Sequence, residues 1–405
     1  MLPIALPKDV KFIIETLNNA GYEAYIVGGC VRDSILEYSP KDWDLTTSAT
    51  PEQTKKLFQK TFDTGIQHGT ITVVLDHTNY EVTTYRVEDA YEDCRHPSSV
   101  SFTKKLEEDL LRRDFTMNAI AYHPKEGYKD PFHGIEDIQK KIIRGVGNPA
   151  LRFQEDALRM LRCVRFAAQL GFAVEDETYD ALCENIELIK KISIERIHDE
   201  LGKLWLCEHY EKMPLLWKSG LLTHIDPLLA TTLTQTDTNL LRFLCQTPKD
   251  PILRWAIVLQ EYPKSDVKKF FKHFRFDNHS LKCIALLLEQ TDKDLPTKSY
   301  PLRVLMGKIG VDTTKQALTL QSILRPASPF EQSALVFEKI LADGDCLTLK
   351  DLATNGEMLM KIGVPKGKEL GLILASLLDY VHQNPNVNKQ DLLLDKAKEL
   401  LKSSS

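Results

Sequence analysis

Two short segments near the start of the chain combine residue types that can bind phosphate and metal ions. Gly28-Gly29 is followed by Arg32, and Asp42-Trp43-Asp44 comes shortly afterwards. Side chains two residues apart on a strand point to the same face, so a strand here projects the Asp42 and Asp44 carboxylates together. Close carboxylates repel unless a cation offsets them, and Mg²⁺ is bound by one or two carboxylates together with substrate phosphates.

The chemistry that this arrangement predicts is in-line phosphoryl transfer. Two metal ions would stabilise the attacking and leaving oxygens. The glycines let backbone N–H groups approach a triphosphate, and Arg32 adds a fork of donors. Glu81, in a β-rich segment, is the best candidate for a third catalytic carboxylate on a neighbouring strand. A lone DxD is more often a turn, but the glycine pair and the carboxylate pair together favour a nucleotidyltransferase palm.

A second group of polar residues has helical spacing. One helix is predicted over 155–170, and its polar face carries Asp156, Arg159, Arg162 and Arg165. A solvated salt-bridge face is the ordinary interpretation. The sharper hypothesis is base recognition by Asp156 with Arg159, because a carboxylate accepts and a guanidinium donates hydrogen bonds.

Hydrogen-bond complementarity makes this hypothesis specific. Cytosine and adenine each place an amino donor beside a ring-nitrogen acceptor, which matches the Asp-plus-Arg pair. Uracil and guanine present the reverse pattern and would leave buried groups unpaired, which such sites reject strongly. Arg113, Arg162 and Arg165 would remain available for phosphate and for anchoring.

Composition limits the other possibilities. A length of 405 residues predicts two to three folded domains or one elongated body of several parts, and the content of 43% hydrophobic and 27% charged residues excludes wholesale disorder. The net charge of −5 argues against a nucleic-acid partner on average. Residues 140–166, however, hold seven basic and two acidic residues, which predicts a local basic track for RNA phosphates and a salt dependence confined to one face.

The eight cysteines form no CxxC pair, and we expect reduced thiols in a cytoplasmic protein. No signal peptide or long apolar run is visible, so no membrane partner is expected. Strands are predicted at 24–27, 43–47, 70–75 and 80–85, after a helix over 8–20. Helical periodicity dominates beyond about residue 140, with joints predicted at 231–238 and 325–329.

Six segments in colinear order resemble one family. They are GGCVRD, DWDLTT, HGTITVV, LEEDLLRRDFTMNAIAY, DPFHGIEDI and EDALRMLRCVRFAAQLGF, within residues 20–205. The chain resembles the class II tRNA nucleotidyltransferases, which include the CCA-adding enzymes and related bacterial poly(A) polymerases. The resemblance implies an elongated molecule with an α+β head, whose palm is a mixed sheet with helices, followed by an all-α neck, body and tail.

The implied boundaries are 1–140 for the head, 141–210 for the neck with its base-reading helix, 211–330 for the body and 331–405 for a tRNA-binding tail. Asp42 and Asp44 would bind Mg²⁺ and, with Glu81, form the catalytic group. The implied ATP and CTP contacts come from residues around the site: Gly28, Gly29, Arg32, Arg113, Asp156, Arg159, Arg162 and Arg165.

The implied activity is template-independent addition of C, C and A to tRNA 3′ ends from CTP and ATP. The resemblance also implies a mobile loop needed for the final A, and residues 93–97 depart from its usual pattern at Cys94 and His96. An enzyme that adds only A, a poly(A) polymerase and a non-catalytic RNA-binding protein with a degenerate palm stay open, as do the monomer and the homodimer.

Overall fold

The computed structural model describes residues 3–88 and 100–404, so the predicted loop at 93–97, with Cys94 and His96, lies outside the described residues. The chain divides into two compact units, Met1–Asp237 and Thr238–Ser405. The division into head, neck, body and tail stays a prediction. Within the described ranges, no helix is long and apolar enough to cross a membrane.

The strands of the described residues all belong to the first unit. In chain order they are β1 (Ala24–Val27), β2 (Asp44–Thr47), β3 (Thr61–Gly65), β4 (Thr70–Leu75), β5 (Thr78–Thr84), β6 (Arg86–Glu88), β7 (Val100–Phe102), β8 (Ala121–His123), β9 (Gly127–Lys129), β10 (Ile142–Ile143) and β11 (Ala173–Val174).

A seven-stranded sheet is the centre of this unit, with the strand order β3-β4-β5-β2-β1-β8-β9. Its neighbouring strands are antiparallel except for β2 and β5, which run parallel. Every residue of β1 is buried, as expected for a central apolar strand. The expected mixed sheet is therefore confirmed, and β1 and β4 have the predicted bounds.

The hairpin from β4 to β5 starts its second strand two residues earlier than predicted. Asp76 and His77 both have positive φ, 44° and 65°, and Leu75 pairs directly with Thr78. A two-residue turn with positive φ at both positions matches the right-handed twist of the flanking strands. Pairing therefore continues up to the turn.

The helices of the first unit alternate with these strands and then follow one another. They are α1 (Lys8–Asn19), α2 (Gly29–Ile35), α3 (Pro51–Leu57), α4 (Leu106–Leu111), α5 (Gly134–Lys140), α6 (Pro149–Glu155), α7 (Leu158–Leu170), α8 (Asp176–Asn185), α9 (Ile194–Trp205), α10 (Leu215–Lys218), α11 (Leu221–Ile225) and α12 (Pro227–Gln246). The predicted first helix is confirmed, and it buries one apolar face: Val10, Ile13, Ile14 and Leu17.

The threonine-rich joint predicted at 231–238 is helical, because it lies inside α12. Thr231, Thr232 and Thr234 donate their hydroxyl hydrogens to the carbonyl four residues earlier, at 2.9, 2.9 and 2.7 Å. These bonds satisfy the hydroxyls without leaving the helix. The boundary between the two units nevertheless falls within this stretch, between Asp237 and Thr238.

In the described residues of the second unit, all regular secondary structure is helical. It continues with α13 (Pro251–Val258), α14 (Val267–His273), α15 (Asn278–Leu288), α16 (Ser299–Ile309), α17 (Val311–Leu324), α18 (Phe330–Ala342), α19 (Gly356–Lys361), α20 (Lys368–Gln383) and α21 (Gln390–Ser404). Phe270 anchors an aromatic core, with Phe274 stacked at 4.3 Å and Trp255 edge-on at 6.0 Å. The expected helical remainder is confirmed, and the joint at 325–329 separates α17 from α18.

Candidate active site

Three exposed carboxylates lie around the start of β2: Asp44 is its first residue, Asp42 is two residues before it and Glu81 is on the neighbouring β5; we call them the carboxylate cluster. The parallel register of β2 and β5 places Asp44 directly opposite Glu81. Asp42 is not on the strand as predicted, because β2 begins at Asp44 and residue 42 lies in a bend. The premise that both aspartates share one strand face is therefore wrong.

The carboxylates of Asp42 and Glu81 are close enough to Asp44 to shift its pKa. Partial withdrawal from water raises the pKa of Asp44; the Arg113 guanidinium opposes this shift, and the Glu81 and Asp42 carboxylates add to it. A cation would relieve this repulsion, so the oxygen donors fit a divalent metal. The described residues contain no ready group of three or more metal-ligating side chains, but Mg²⁺ needs only one or two carboxylates when phosphates complete its shell.

Arg113 faces this cluster across the glycine turn. Gly28 has φ of 80° at the N-terminus of α2, and a β-carbon there would lie 3.1 Å from Arg113 Nη1. Glycine therefore gives both the positive φ and the room for the guanidinium. Arg113 Nη2 contacts the buried Asp109 at 3.4 Å, whereas Arg113 Nε is buried without an acceptor in the described structure. An unsatisfied buried donor is costly, and an anionic ligand could supply the missing acceptor.

The donors of Arg32 are engaged within the protein. Nε and Nη2 bind Asp33 at 2.9 and 2.7 Å, and Nη1 donates to Asn118 at 2.7 Å. Asn118 in turn donates to Asp114 at 3.0 Å. With Arg32 buried in this network, its predicted contact with a nucleotide stays a prediction, and Asn118 and Asp114 hold it from inside the protein.

The single helix predicted over 155–170 is interrupted at Asp156, the proposed base-reading residue. Helix α6 ends at Glu155, Asp156 is extended with φ of −139° and ψ of 101°, and α7 begins at Leu158. Asp156 Oδ1 accepts the Leu158 N–H at 3.1 Å. Asp156 therefore caps the start of α7, and its predicted place on a continuous helical ridge is wrong.

Asp156 and Arg159 have separate partners instead of each other. Arg196 on α9 donates to both oxygens of Asp156, at 3.3 and 2.8 Å. Arg159 donates to Glu155 at 2.6 Å and to the Arg112 carbonyl at 2.7 Å. Sequence spacing missed Arg196 as the partner of Asp156, because the contact joins residues that are 40 apart.

The other two arginines of α7 also have carboxylate partners. Arg162 binds Asp114 with two donors, at 2.9 and 2.6 Å, and Arg165 binds Glu200 at 2.6 Å. Burial by itself would raise the pKa of Asp114, but the Arg162 charge and hydrogen bonds from Asn118 and Arg162 hold that pKa well below its ordinary value. We call Arg159, Arg162 and Arg165 the arginine cluster.

The basic track predicted over 140–166 is mostly neutralised inside the protein. Carboxylates pair with six of its seven basic residues: Lys140, Arg144, Arg152, Arg159, Arg162 and Arg165. Arg159 and Arg165 are buried as well. Counting charges along the sequence therefore overestimates the positive surface of this segment.

Comparison with known proteins identifies similar chains over nearly the whole length. Three family models match: the poly A polymerase head domain over 24–144, the probable RNA and SrmB-binding site of polymerase A over 171–233, and tRNA nucleotidyltransferase domain 2 over 247–397. The CCA-adding enzyme of Lactobacillus helveticus is 38% identical and covers 94% of both chains. That of Streptococcus mutans is 36% identical over 95% of this chain and 94% of its own.

Among solved structures, the Bacillus stearothermophilus CCA-adding enzyme in complex with CTP superposes with a TM-score of 0.83. It is 30% identical in sequence, and the match covers 98% of this chain and 99% of that one. The similarity therefore extends through both units and is not confined to the sheet.

Proposed function

The chain belongs to the CCA-adding enzymes, the tRNA nucleotidyltransferases that add C, C and A to tRNA 3′ ends from CTP and ATP, and from this premise we propose which residues carry out the reaction. The terminal 3′-hydroxyl of the tRNA attacks the nucleotide α-phosphate, and pyrophosphate leaves. Addition of A alone, poly(A) synthesis and a non-catalytic RNA-binding role are not favoured. Nucleotidyltransferases of this kind generally use a divalent metal.

The observation that chiefly supports the proposal is the carboxylate cluster, where the charges of Glu81 and Asp42 both raise the pKa of Asp44. Asp42 and Asp44 would hold Mg²⁺, and Glu81 adds a third catalytic carboxylate from the neighbouring strand. When bound, Mg²⁺ offsets the carboxylate charges and polarises the phosphate that is attacked. The protein contributes Asp44 and Glu81 from two hydrogen-bonded internal strands, so the sheet sets the spacing of these two residues.

The triphosphate lies against the glycine turn in this proposal. The backbone N–H of Gly29 approaches it closely, whereas the Gly28 N–H donates to the Ile120 carbonyl at 3.3 Å, so Gly28 contributes the turn and the room. Arg113 adds its charge and its unsatisfied Nε. Arg32, Arg162 and Arg165 contribute positive charge from the adjoining network.

Asp156 and Arg159 read the base in this proposal. Their acceptor and donor pattern matches the edges of cytosine and adenine and rejects those of uracil and guanine. An incoming base has to replace Arg196 on Asp156 and Glu155 on Arg159. Recognition therefore includes an exchange of hydrogen-bond partners. When the site is empty, Arg196 satisfies Asp156 and Arg159 satisfies Glu155.

The remaining parts of the proposal concern partners and location. The tRNA acceptor end, ATP and CTP are the substrates, and the helical tail at 331–405 is the proposed tRNA-binding part. A cytoplasmic location agrees with the seven described cysteines, all of which are free thiols. The homodimer stays a prediction, which sedimentation of the purified chain would test.

The decisive experiment incubates the protein with a tRNA that lacks CCA, using CTP, ATP or both, and sequences the products. We expect CC with CTP alone and CCA with both nucleotides. Extension only of a tRNA already ending in CC would indicate an A-adding enzyme, and a long A tail would indicate a poly(A) polymerase. Tight tRNA binding without metal-dependent incorporation, in a protein as inactive as its Asp44→Asn variant, would support the non-catalytic alternative.

A further inference from the structure

One aromatic ring stands among three arginines of the candidate site. Phe166, on α7, is 5% exposed. The guanidinium carbons of Arg32, Arg162 and Arg165 lie over its ring at 5.1, 5.2 and 4.1 Å from the centroid. These distances are within the range of cation–π attraction. A single ring thus contacts arginines that come from two separate helices, α2 and α7.

The aromatic ring offsets repulsion among the three guanidinium groups. Three guanidinium groups within 5.2 Å of one centroid repel one another, and the repulsion is strong because Arg32 and Arg165 are buried. Each has one carboxylate partner on another side: Asp33, Asp114 and Glu200. The negative face of an aromatic ring adds attraction without adding a further full negative charge, which would repel a phosphate.

We propose that Phe166 is a positioning residue that holds the Arg32, Arg162 and Arg165 guanidinium groups in place for the incoming nucleotide. The inference rests on the proposed nucleotide-binding role of these arginines. Phe166 itself need not touch the nucleotide. Its effect is on affinity, because arginines that bind the triphosphate equally in the ground and transition states change KM and leave kcat almost unaltered.

The test replaces Phe166 with mono-, di- and trifluorophenylalanine, which weakens the negative face of the ring step by step at nearly constant shape. We expect KM for both CTP and ATP to rise in the same order, by about tenfold at the trifluoro stage. The turnover number should stay within about twofold of the unmodified enzyme. Calorimetric binding of CTP should weaken in parallel. Phe166→Leu, which has no aromatic ring, should also weaken CTP binding, whereas Phe166→Tyr, which keeps the ring, should bind CTP as the unmodified enzyme does.

Phe115 is the matched control, because it is fully buried and packs edge-on against Phe166 at 5.9 Å. In the described residues no guanidinium lies over its ring. Fluorination at Phe115 should leave KM unchanged, and thermal unfolding checks that each variant is folded. A flat KM series at Phe166, or an equal rise at Phe115, would overturn the positioning role.

Failure of this inference is distinguishable from failure of the proposed function. If the unmodified enzyme adds CCA and the Phe166 series is flat, only the positioning role is lost. If the unmodified enzyme adds no nucleotide, the proposed function is lost, and calorimetric CTP binding across the two fluorinated series still decides whether Phe166 positions the arginines.

Discussion

The carboxylate cluster and the arginine cluster lie in the same unit but follow opposite electrostatic rules. In the carboxylate cluster, like charges are close together, and the pKa of Asp44 is raised above its ordinary value. In the arginine cluster, every guanidinium is paired with a carboxylate: Glu155, which Arg152 also binds, Asp114 and Glu200. The first cluster gains from an added cation, whereas the second is balanced before any ligand binds.

This difference separates two ways of building a site for a charged substrate. The carboxylates of the first cluster repel one another until a divalent cation binds, so these residues serve function at the expense of folding stability. The arginines of the second cluster are attracted to their carboxylate partners, so these residues serve both folding stability and function. The same Asp→Asn substitution should therefore change stability in opposite directions in the two places.

The largest effect is expected for Asp44→Asn. Incorporation of CTP and ATP should fall by at least about 10³-fold, because the substitution removes a charge that stabilises the transition state through the metal site. The thermal unfolding temperature should stay the same or rise, since one of three repelling carboxylates is gone. Scanning calorimetry and tRNA extension measure the two quantities; a variant that keeps its activity, or that unfolds much earlier, would contradict the comparison.

Asp114→Asn should have the opposite effect on stability. It leaves Arg162 without its carboxylate in a site where Asp114 is only 8% exposed, and removing one partner of such a pair costs about 3 kcal/mol of unfolding free energy. Urea unfolding gives the value. Asp63→Asn is the control, because Asp63 and Lys55 form an exposed pair that should contribute less than about 1 kcal/mol. Equal losses in the two variants would remove the distinction between the clusters.

Asp156→Ala tests the proposed base-reading position directly. If Asp156 rejects the wrong base, its loss should raise UTP or GTP incorporation relative to CTP by about 10²-fold. The Arg196→Ala variant separates recognition from packing, because it removes the partner of Asp156 and keeps the carboxylate. It should retain discrimination. Unchanged nucleotide selection in Asp156→Ala would rule out this residue as the base reader.

The sequence predicted the parts of the site that depend on local pattern. The bounds of β1 and β4 follow from short apolar and β-branched runs between turn residues, and the candidate role of Glu81 required only a neighbouring strand. The parallel register then placed it opposite Asp44. Local pattern and tertiary structure agree here because β2 and β5 are hydrogen-bonded parallel neighbours, so residues paired across them lie side by side.

The arginine cluster was less predictable, because its contacts depend on tertiary structure. A spacing of three residues continues through the break at Asp156, so periodicity alone cannot detect that α6 and α7 are separate helices. Nor can spacing choose between Arg159 and Arg196 as the partner of Asp156, since Arg196 approaches from α9. The neutralised basic track has the same cause, because Asp114 and Glu200 are remote in sequence from the arginines they pair with.

The smallest expected effect concerns pH, and it distinguishes the clusters without any substrate. In metal-free protein, carboxyl NMR should find Asp44 titrating above the ordinary aspartate value of about 3.9 and Asp114 below it.

Asp44 therefore contributes stability that is lost as pH rises through its raised pKa. The contribution of Asp114 is present at neutral pH and is lost as pH falls through its lowered pKa. Glu81→Gln should lower the pKa of Asp44 and leave that of Asp114 unchanged, because the Glu81 charge raises the pKa of Asp44, whereas the pKa of Asp114 is set by burial, Arg162, Asn118 and Arg159. If both aspartates titrate at the ordinary value, the two clusters do not differ in the way proposed.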